Sequence, residues 1–187
     1  AWKSAEMPKK GVEKAVNALN SMLNNYNTMM TYIQNAANSS DDIAAAIGNN
    51  ITNLGLLNDQ ILQNGAVFNG TDYLDSANSI TLYVPPTFSN SLVFPFSAII
   101  TNATGLTDAD AYAVTDQASA QAGVTVMQTA IDAVMAMITG YQGLVNVLGE
   151  YQNTTGDQRD LLETNFKNWK DDRLCNLDKQ IEETKYI

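Results

Sequence analysis

Few residues in this chain could do chemistry, and the missing types say most. The sequence contains no histidine, which removes imidazole bases, Cys-His dyads, Ser-His-Asp triads and histidine-ligated metals together. The single cysteine, Cys175, can neither close an internal disulfide nor build a thiolate cage. With no basic trap beside it beyond Arg173, it reads as a small side chain rather than an activated thiol. Carboxylates cluster at Asp41-Asp42, Asp108-x-Asp110 and Asp171-Asp172. None has the glycine and terminal glutamate that a calcium loop requires, so helix caps and solvated faces are expected. Gly140-Tyr141-Gln142-Gly143 lacks a preceding strand and a following lysine, so it is expected to permit close helix packing, not to cradle phosphate. Asn38, Asn50, Asn69, Asn102 and Asn153 each begin an Asn-x-Ser/Thr match, as chance supplies in a chain rich in Asn and Thr. No nucleophile, base and oxyanion donor assemble. The expectation is a protein without catalysis, metal or cofactor.

The charge pattern narrows the partners. The 187 residues carry 10 Lys and Arg against 20 Asp and Glu, a formal net charge of -10, which repels nucleic acid and anionic lipid. No Lys or Arg occurs between Lys14 and Arg159. The neutral-polar middle therefore suits a surface that packs against copies of itself without large charge desolvation. No run reaches the roughly 18 consecutive apolar residues of a membrane span, and the first residues lack the apolar core of a cleaved signal. Export by a route that reads no cleaved signal is compatible with this.

Long helices must position these residues. Val12, Val16, Leu19, Leu23, Tyr26, Met30, Ile33 and Ala37 recur every three or four residues and predict a helix, with Pro8 in its first turn or in a turn before it. Asn38 to Asp42 break the pattern with capping residues. A second stripe, Ile43, Ile47, Ile51, Leu54, Leu57 and Ile61, predicts a helix closed by a left-handed glycine near Asn64-Gly65. Two helices so joined fold back antiparallel. In Val67-Phe68-Asn69-Gly70-Thr71-Asp72-Tyr73-Leu74, Asn-Gly supplies the positive backbone angles of a tight hairpin. Ile80 to Val84 reads as the partner strand, stopped by Pro85-Pro86. From Pro85 to Thr107 the chain looks irregular and partly extended, too interrupted for a helix. Thr115-Asp116 can then cap a helix carrying Val124, Met127, Ile131, Val134, Ile138, Tyr141, Val145, Leu148 and Tyr151. Leu161-Leu162, Phe166, Trp169, Leu174, Leu177 and Ile181 continue its spacing, so an unbroken helix of roughly 60 residues would reach about 90 Å. If it returns beside the first helix, the basic residues of Lys3 to Lys14 and Arg159 to Lys185 meet.

The expected fold is mainly α: an elongated antiparallel helical bundle of two N-terminal helices and one long C-terminal helix, with a β-hairpin and a short irregular insertion. Residues 1–84 form its first half, 85–114 the insertion and 115–187 the returning helix. Met22, Met29, Met30, Met127, Met135 and Met137 read as adaptable core filler, some facing a neighbouring subunit. Met29, Met30 and Gln34 are the candidate subunit contact.

Several landmarks in order resemble bacterial flagellin. Ala18-Leu19-Asn20, Ile33-Gln34-Asn35-Ala36-Ala37-Asn38 and the Phe68-Asn69-Gly70-Thr71 turn are similar to successive landmarks in the first half of that family's rod domain. Gln117-Ala118-Ser119-Ala120-Gln121-Ala122 and Leu148-Gly149-Glu150-Tyr151-Gln152-Asn153 resemble its C-terminal helix, and Arg173-Leu174-Cys175-Asn176-Leu177-Asp178 resembles a more divergent element beyond. The resemblance spans most of Val12 to Asp178, outside the excursion from Pro85 to Thr107. It implies the core of a rod domain without the terminal helices that drive polymerisation, and a structural subunit of an extracellular flagellar filament. The implied partners are copies of itself, hook-associated and cap proteins and an export chaperone whose site lies outside this stretch; nucleic acid and membrane are not among them. Asn24 to Gln34, the segment matching the family's receptor-recognised region, has no basic residue, which implies poor recognition by the innate receptor. Two alternatives are a hook-filament junction protein and a surface homologue that captures polysaccharide through Trp2, Trp169 and tyrosines.

Overall fold

The computed structural model describes residues 2–84, 90–101 and 103–184. Helix α1 (Trp2–Ala37) leads through a short turn into α2 (Asp41–Gln60). A π-helical turn, Ile61–Gly65, precedes strands β1 (Val67–Phe68) and β2 (Thr71–Asp72). Strands β3 (Ser79–Val84) and β4 (Asn90–Pro95), a 3-10 turn (Phe96–Ala98), α3 (Ala103–Asp110) and α4 (Gln117–Thr184) follow.

The frame is α1 packed antiparallel on α4. On α1, Val12, Ala15, Leu19, Met22, Tyr26, Met29, Ile33 and Ala36 are all fully buried, at alternating spacings of three and four. On α4 the same alternation places Ala120, Gly123, Met127, Ala130, Val134, Met137, Tyr141, Leu144 and Leu148 in the interior. Such heptad seams are those of a coiled coil. They share only alternate positions with the apolar stripes expected from sequence; the others are the methionines Met22, Met29 and Met137, Leu144, and small residues such as Ala15 and Ala130. Pro8 lies inside α1 rather than at its beginning. The fully buried Ala5 and Val12 on either side of it hold the helix together across the missing backbone donor.

Helix α2 turns a different face inward from the one its large residues mark. Ala44, Gly48, Ile51, Gly55 and Asn58 are buried, while Ile43 and Leu57 are exposed. The reason is close backbone approach: a Cβ on Gly48 would fall 2.1 Å from the Val114 carbonyl oxygen, and one on Gly55 2.0 Å from that of Asp110. Small residues thus let the segment from α3 to Val114 lie directly on α2. Gly65 does not adopt the left-handed closure expected of it; Gly70 is the glycine with positive φ among the described residues. Helix α2 instead runs on into the π turn, where Gly65 fits against Ile61 and Ala18.

The Asn69-Gly70 turn has φ of 50° and 80°, the paired positive values of a type I′ hairpin. It joins Val67 opposite Asp72 and Phe68 opposite Thr71. The Ile80 to Val84 strand does not pair with this hairpin. It forms its own antiparallel ribbon with β4, with Ile80 opposite Phe94 and Leu82 opposite Leu92. Leu92 to Phe96, read from sequence as irregular, therefore has a ladder partner, and the excursion also contains the helix α3. Pro85 and Pro86 lie outside the described residues. Tyr73, Phe96 and Tyr141 pack between these pieces with tilted rings, their centroids 5.3 and 5.9 Å apart. The Tyr141 hydroxyl donates to the Tyr73 carbonyl, and burial pushes the Tyr141 phenol well above its ordinary value. Tyr151 likewise donates to the Tyr83 carbonyl, tying the second ribbon to α4.

Helix α4 starts at a reciprocal cap. The Ser119 amide donates to Asp116 Oδ1 at 2.7 Å, and the Asp116 amide donates to Ser119 Oγ at 3.0 Å. Two bonds cross to the other helices: the Gln117 amide donates to Asp41 Oδ1, and Gln117 Nε2 to the Ala37 carbonyl, each at 3.0 Å. Three helix ends are fastened at one point, which sets the register of the rod. The helix continues unbroken through Asn153 to Asp157 to Thr184, 68 residues in all.

Candidate assembly interface

The register fixed at Gln117 brings α1 to its beginning well before α4 ends. Glu13, Val16 and Asn17 line a groove with Gln142, Val145 and Asn146, and Lys9 Nζ lies beside Gly149. From about Thr155 onward no helix among the described residues lies opposite α4, and its last 29 residues extend about 43 Å at 1.5 Å per residue. Lys167, Lys170 and Arg173 thus lie along α4 beyond the start of α1, while the side chains of Lys3 and Lys185 lie outside the described residues.

The projecting segment is amphipathic and exposed. Leu162, Phe166 and Trp169 are 68%, 65% and 60% exposed, and Leu161, Leu174 and Leu177 are also open to solvent. From sequence these residues read only as a continuation of the helical spacing. At 100° per residue, Leu162, Phe166, Trp169, Leu174 and Leu177 share one face with Lys167, Lys170, Arg173 and Glu163, while Asp157, Asp160, Asp171 and Asp172 fall on the other with Leu161. Phe166 and Trp169 stack with centroids 5.9 Å apart and planes at 27°. Arg159 contacts Asp160 at 2.7 Å and Glu163 at 3.7 Å; pairing with Asp160 first, then Glu163, holds its guanidinium above its usual value. The charge segregation is legible in sequence once the residues are set on a wheel. The exposure is not, since it depends on the register of α1 on α4.

The residues singled out from sequence occupy three different environments. Met29 and Met30 are buried in the chain's own core, so Gln34 is the member of that trio whose side chain meets solvent. Asn69 and Gly70 are exposed at the hairpin tip, with Phe68 and Thr71 half-buried beneath. Lys14 Nζ anchors that hairpin to α1 through the Val67 carbonyl at 2.7 Å. Of the methionines, Met22, Met127 and Met137 are core, whereas Met135 is 52% exposed. Gly140 accommodates the Ile99 side chain, where a Cβ would meet Cγ2 at 2.8 Å, but Gly143 faces open space. Cys175 is exposed, and the side chain of Trp2 lies outside the described residues.

Among the described residues no three His, Cys, Asp or Glu side chains gather as metal ligands would. Within Gln117–Cys175 one 18-residue window reaches a mean hydropathy of 1.4, enough by length and composition for a membrane span, and 44% of it is buried in the fold. Much of that apolarity belongs to the seam against α1. What the surface offers is a long helical rod, a body with no Lys or Arg from residue 15 to 158, and an apolar projecting face.

Among solved structures, the crystal structure of Bacillus cereus flagellin is similar to this one, with a TM-score of 0.66 over 82% of this chain and 89% of that one. The fold is flagellin-like. Sequence identity over the match is 17%, so the likeness is carried by architecture. No family model matches the chain, and no curated protein matches it in sequence. The flagellin-like fold accounts for the antiparallel pairing of α1 with a very long C-terminal helix, since the match extends well beyond any one element.

Proposed function

We propose that this protein is a flagellin, a structural subunit that self-assembles into the bacterial flagellar filament for motility and performs no chemistry. The observation that carries this reading is the flagellin-like rod of heptad-packed helices. The projecting face of Leu162, Phe166 and Trp169 supports it, because a contiguous exposed apolar patch marks a contact surface. Side-by-side packing of such rods is open and heterologous, the kind that yields fibres instead of closed rings. The partners in this reading are copies of the chain along the filament, hook-associated and cap proteins at its ends, and an export chaperone before assembly. The protein would act outside the cell, exported without a cleaved signal. Gln34 and the Phe68-Asn69-Gly70-Thr71 hairpin are proposed as further subunit contacts, being on or near the surface of the same rod.

Immunogold microscopy with antibody to this chain tests the reading on native cells. Label along the whole filament is the expected result; label confined to the hook-filament boundary would identify a junction protein instead. Label on the cell envelope alone would overturn both. One observation favours a polysaccharide-binding reading: the stacked, exposed Phe166 and Trp169 present aromatic faces to solvent. Glycan-array binding abolished by Trp169→Ala would support it.

A further inference from the structure

The body of the rod buries a carboxylate where it has no cation to offer. Asp110, the last residue of α3, is 5% exposed between α1 and α2. Its Oδ1 accepts the Tyr26 hydroxyl at 2.7 Å and Asn58 Nδ2 at 3.1 Å. Asn58 Oδ1 in turn accepts Asn25 Nδ2 at 2.8 Å. Oδ2 is buried with no hydrogen-bond partner among the described residues. No Lys or Arg occurs from residue 15 to 158, so neither α2, α3, the adjoining part of α1 nor the packed part of α4 can neutralise it.

The same residue fastens the insertion to the rod. The Asp110 carbonyl rests against Gly55 and the Val114 carbonyl against Gly48, two turns away along α2. Tyr26 also reaches the Leu106 carbonyl, at 3.5 Å. With the Tyr26 and Asn58 bonds both made to it, the state of this carboxyl bears directly on how firmly α3 is held.

We propose that Asp110 is a proton-operated latch: the neutral acid keeps α3 and the turn to Val114 docked on α1 and α2, and the carboxylate loosens them. Burial raises its pKa to about 6, with Asp59 adding a smaller push the same way and the bonds from Tyr26 and Asn58 opposing it. Facing it are Tyr26 from α1 and Asn58 and Asp59 from α2; no charged group of α4 acts on it. Asp108, on its own helix, is exposed. An ionised carboxylate in such a site pays desolvation that the acid avoids. Because the docked carboxyl holds its proton more tightly than a released one, docking is favoured below pH 4, weakens as pH rises through 6, and is weakest above it.

Hydrogen exchange of peptides covering 103–114, corrected for intrinsic rates, reads the latch. Protection is expected to fall about tenfold between pH 5 and 7.5, within the roughly 100-fold bound set by a carboxyl that releases from 6 to an ordinary 3.9. Asp110→Asn keeps an acceptor for Tyr26 and Asn58 without the charge, and should be protected equally at both pH values. A native chain without pH dependence in this segment, or a dependence that persists in Asp110→Asn, overturns the proposal. Should Asp110→Asn fail to fold, the carboxyl-carbon NMR titration of the native protein decides: a midpoint near 6 supports the latch, and one at 4 or below refutes it.

Discussion

Replacing Gly55 by alanine sets two opposite tendencies against each other, and the structure decides between them. Alanine in place of glycine inside a helix is favourable by about 1 kcal/mol. At Gly55, however, the new Cβ would lie 2.0 Å from the Asp110 carbonyl oxygen and 2.9 Å from its carbon. The neighbour is backbone, so no side chain can rotate away, and the 110–114 segment must retreat by about 1 Å or more, with an overpacking cost of about 1–3 kcal/mol. That retreat also pulls Asp110 from Tyr26 and Asn58, at about 1 kcal/mol for each weakened bond. The net loss is about 2–4 kcal/mol, or about 4–16 °C in melting temperature for a chain of this size. Gly143 is the internal comparison, since nothing lies within 4 Å of its added Cβ. Gly143→Ala should raise the melting temperature by about 2–4 °C. Melts followed by far-UV circular dichroism at pH 7 measure both, and Gly48→Ala should behave like Gly55→Ala. If Gly55→Ala melts at or above the parent, the close approach of α2 to the 110–114 segment is not as described.

Tyr141→Phe removes the donor to the buried Tyr73 carbonyl while keeping the ring stack; a loss of about 1–2 kcal/mol in denaturant titrations is expected. Asp116→Ala deletes the cap of α4, and faster exchange of amides 117–120 should report it. The Asp116 carboxyl is held below its ordinary value by the Ser119 amide and then its hydroxyl, so its contribution is complete at neutral pH. It disappears as pH falls below the usual aspartate range, and the variant and parent should converge in acid. Leu162→Ser with Phe166→Ser changes only exposed side chains of the projecting helix; an unchanged melting temperature with weaker concentration-dependent association in sedimentation is the expected pair of results. Undiminished association would move the contact elsewhere on the rod.

The long elements were legible because each obeys a local rule: apolar spacing in α1 and α4, Asn69-Gly70 in the hairpin, Asp116 at the start of α4. The inward face of α2 was not legible, since Gly48 and Gly55 are buried for what they lack, and only the packed segment of 110–114 reveals it. Strand β4 and helix α3 escaped for a related reason. Each is short, and β4 needs its ladder with β3 while α3 needs its seat on α2. The projecting face of α4 reads in sequence like any core stripe. Its exposure depends on the register set by Gln117, Asp41 and Ala37, a long-range fact that periodicity cannot carry.

The alternation of three and four along α1 has a geometric consequence for any lattice of these rods. A seam that repeats every 3.5 residues winds left-handedly about its partner, with a pitch of about 150 Å. The 36 residues of α1 span about 54 Å, so over its length the pair turns by about a third of a revolution. A stripe of contacts running along α1 is therefore a ribbon with torsion, not a plane. Neighbours that follow it along its length must be rotated from one to the next, so curvature would be written into the subunit before any two of them touch.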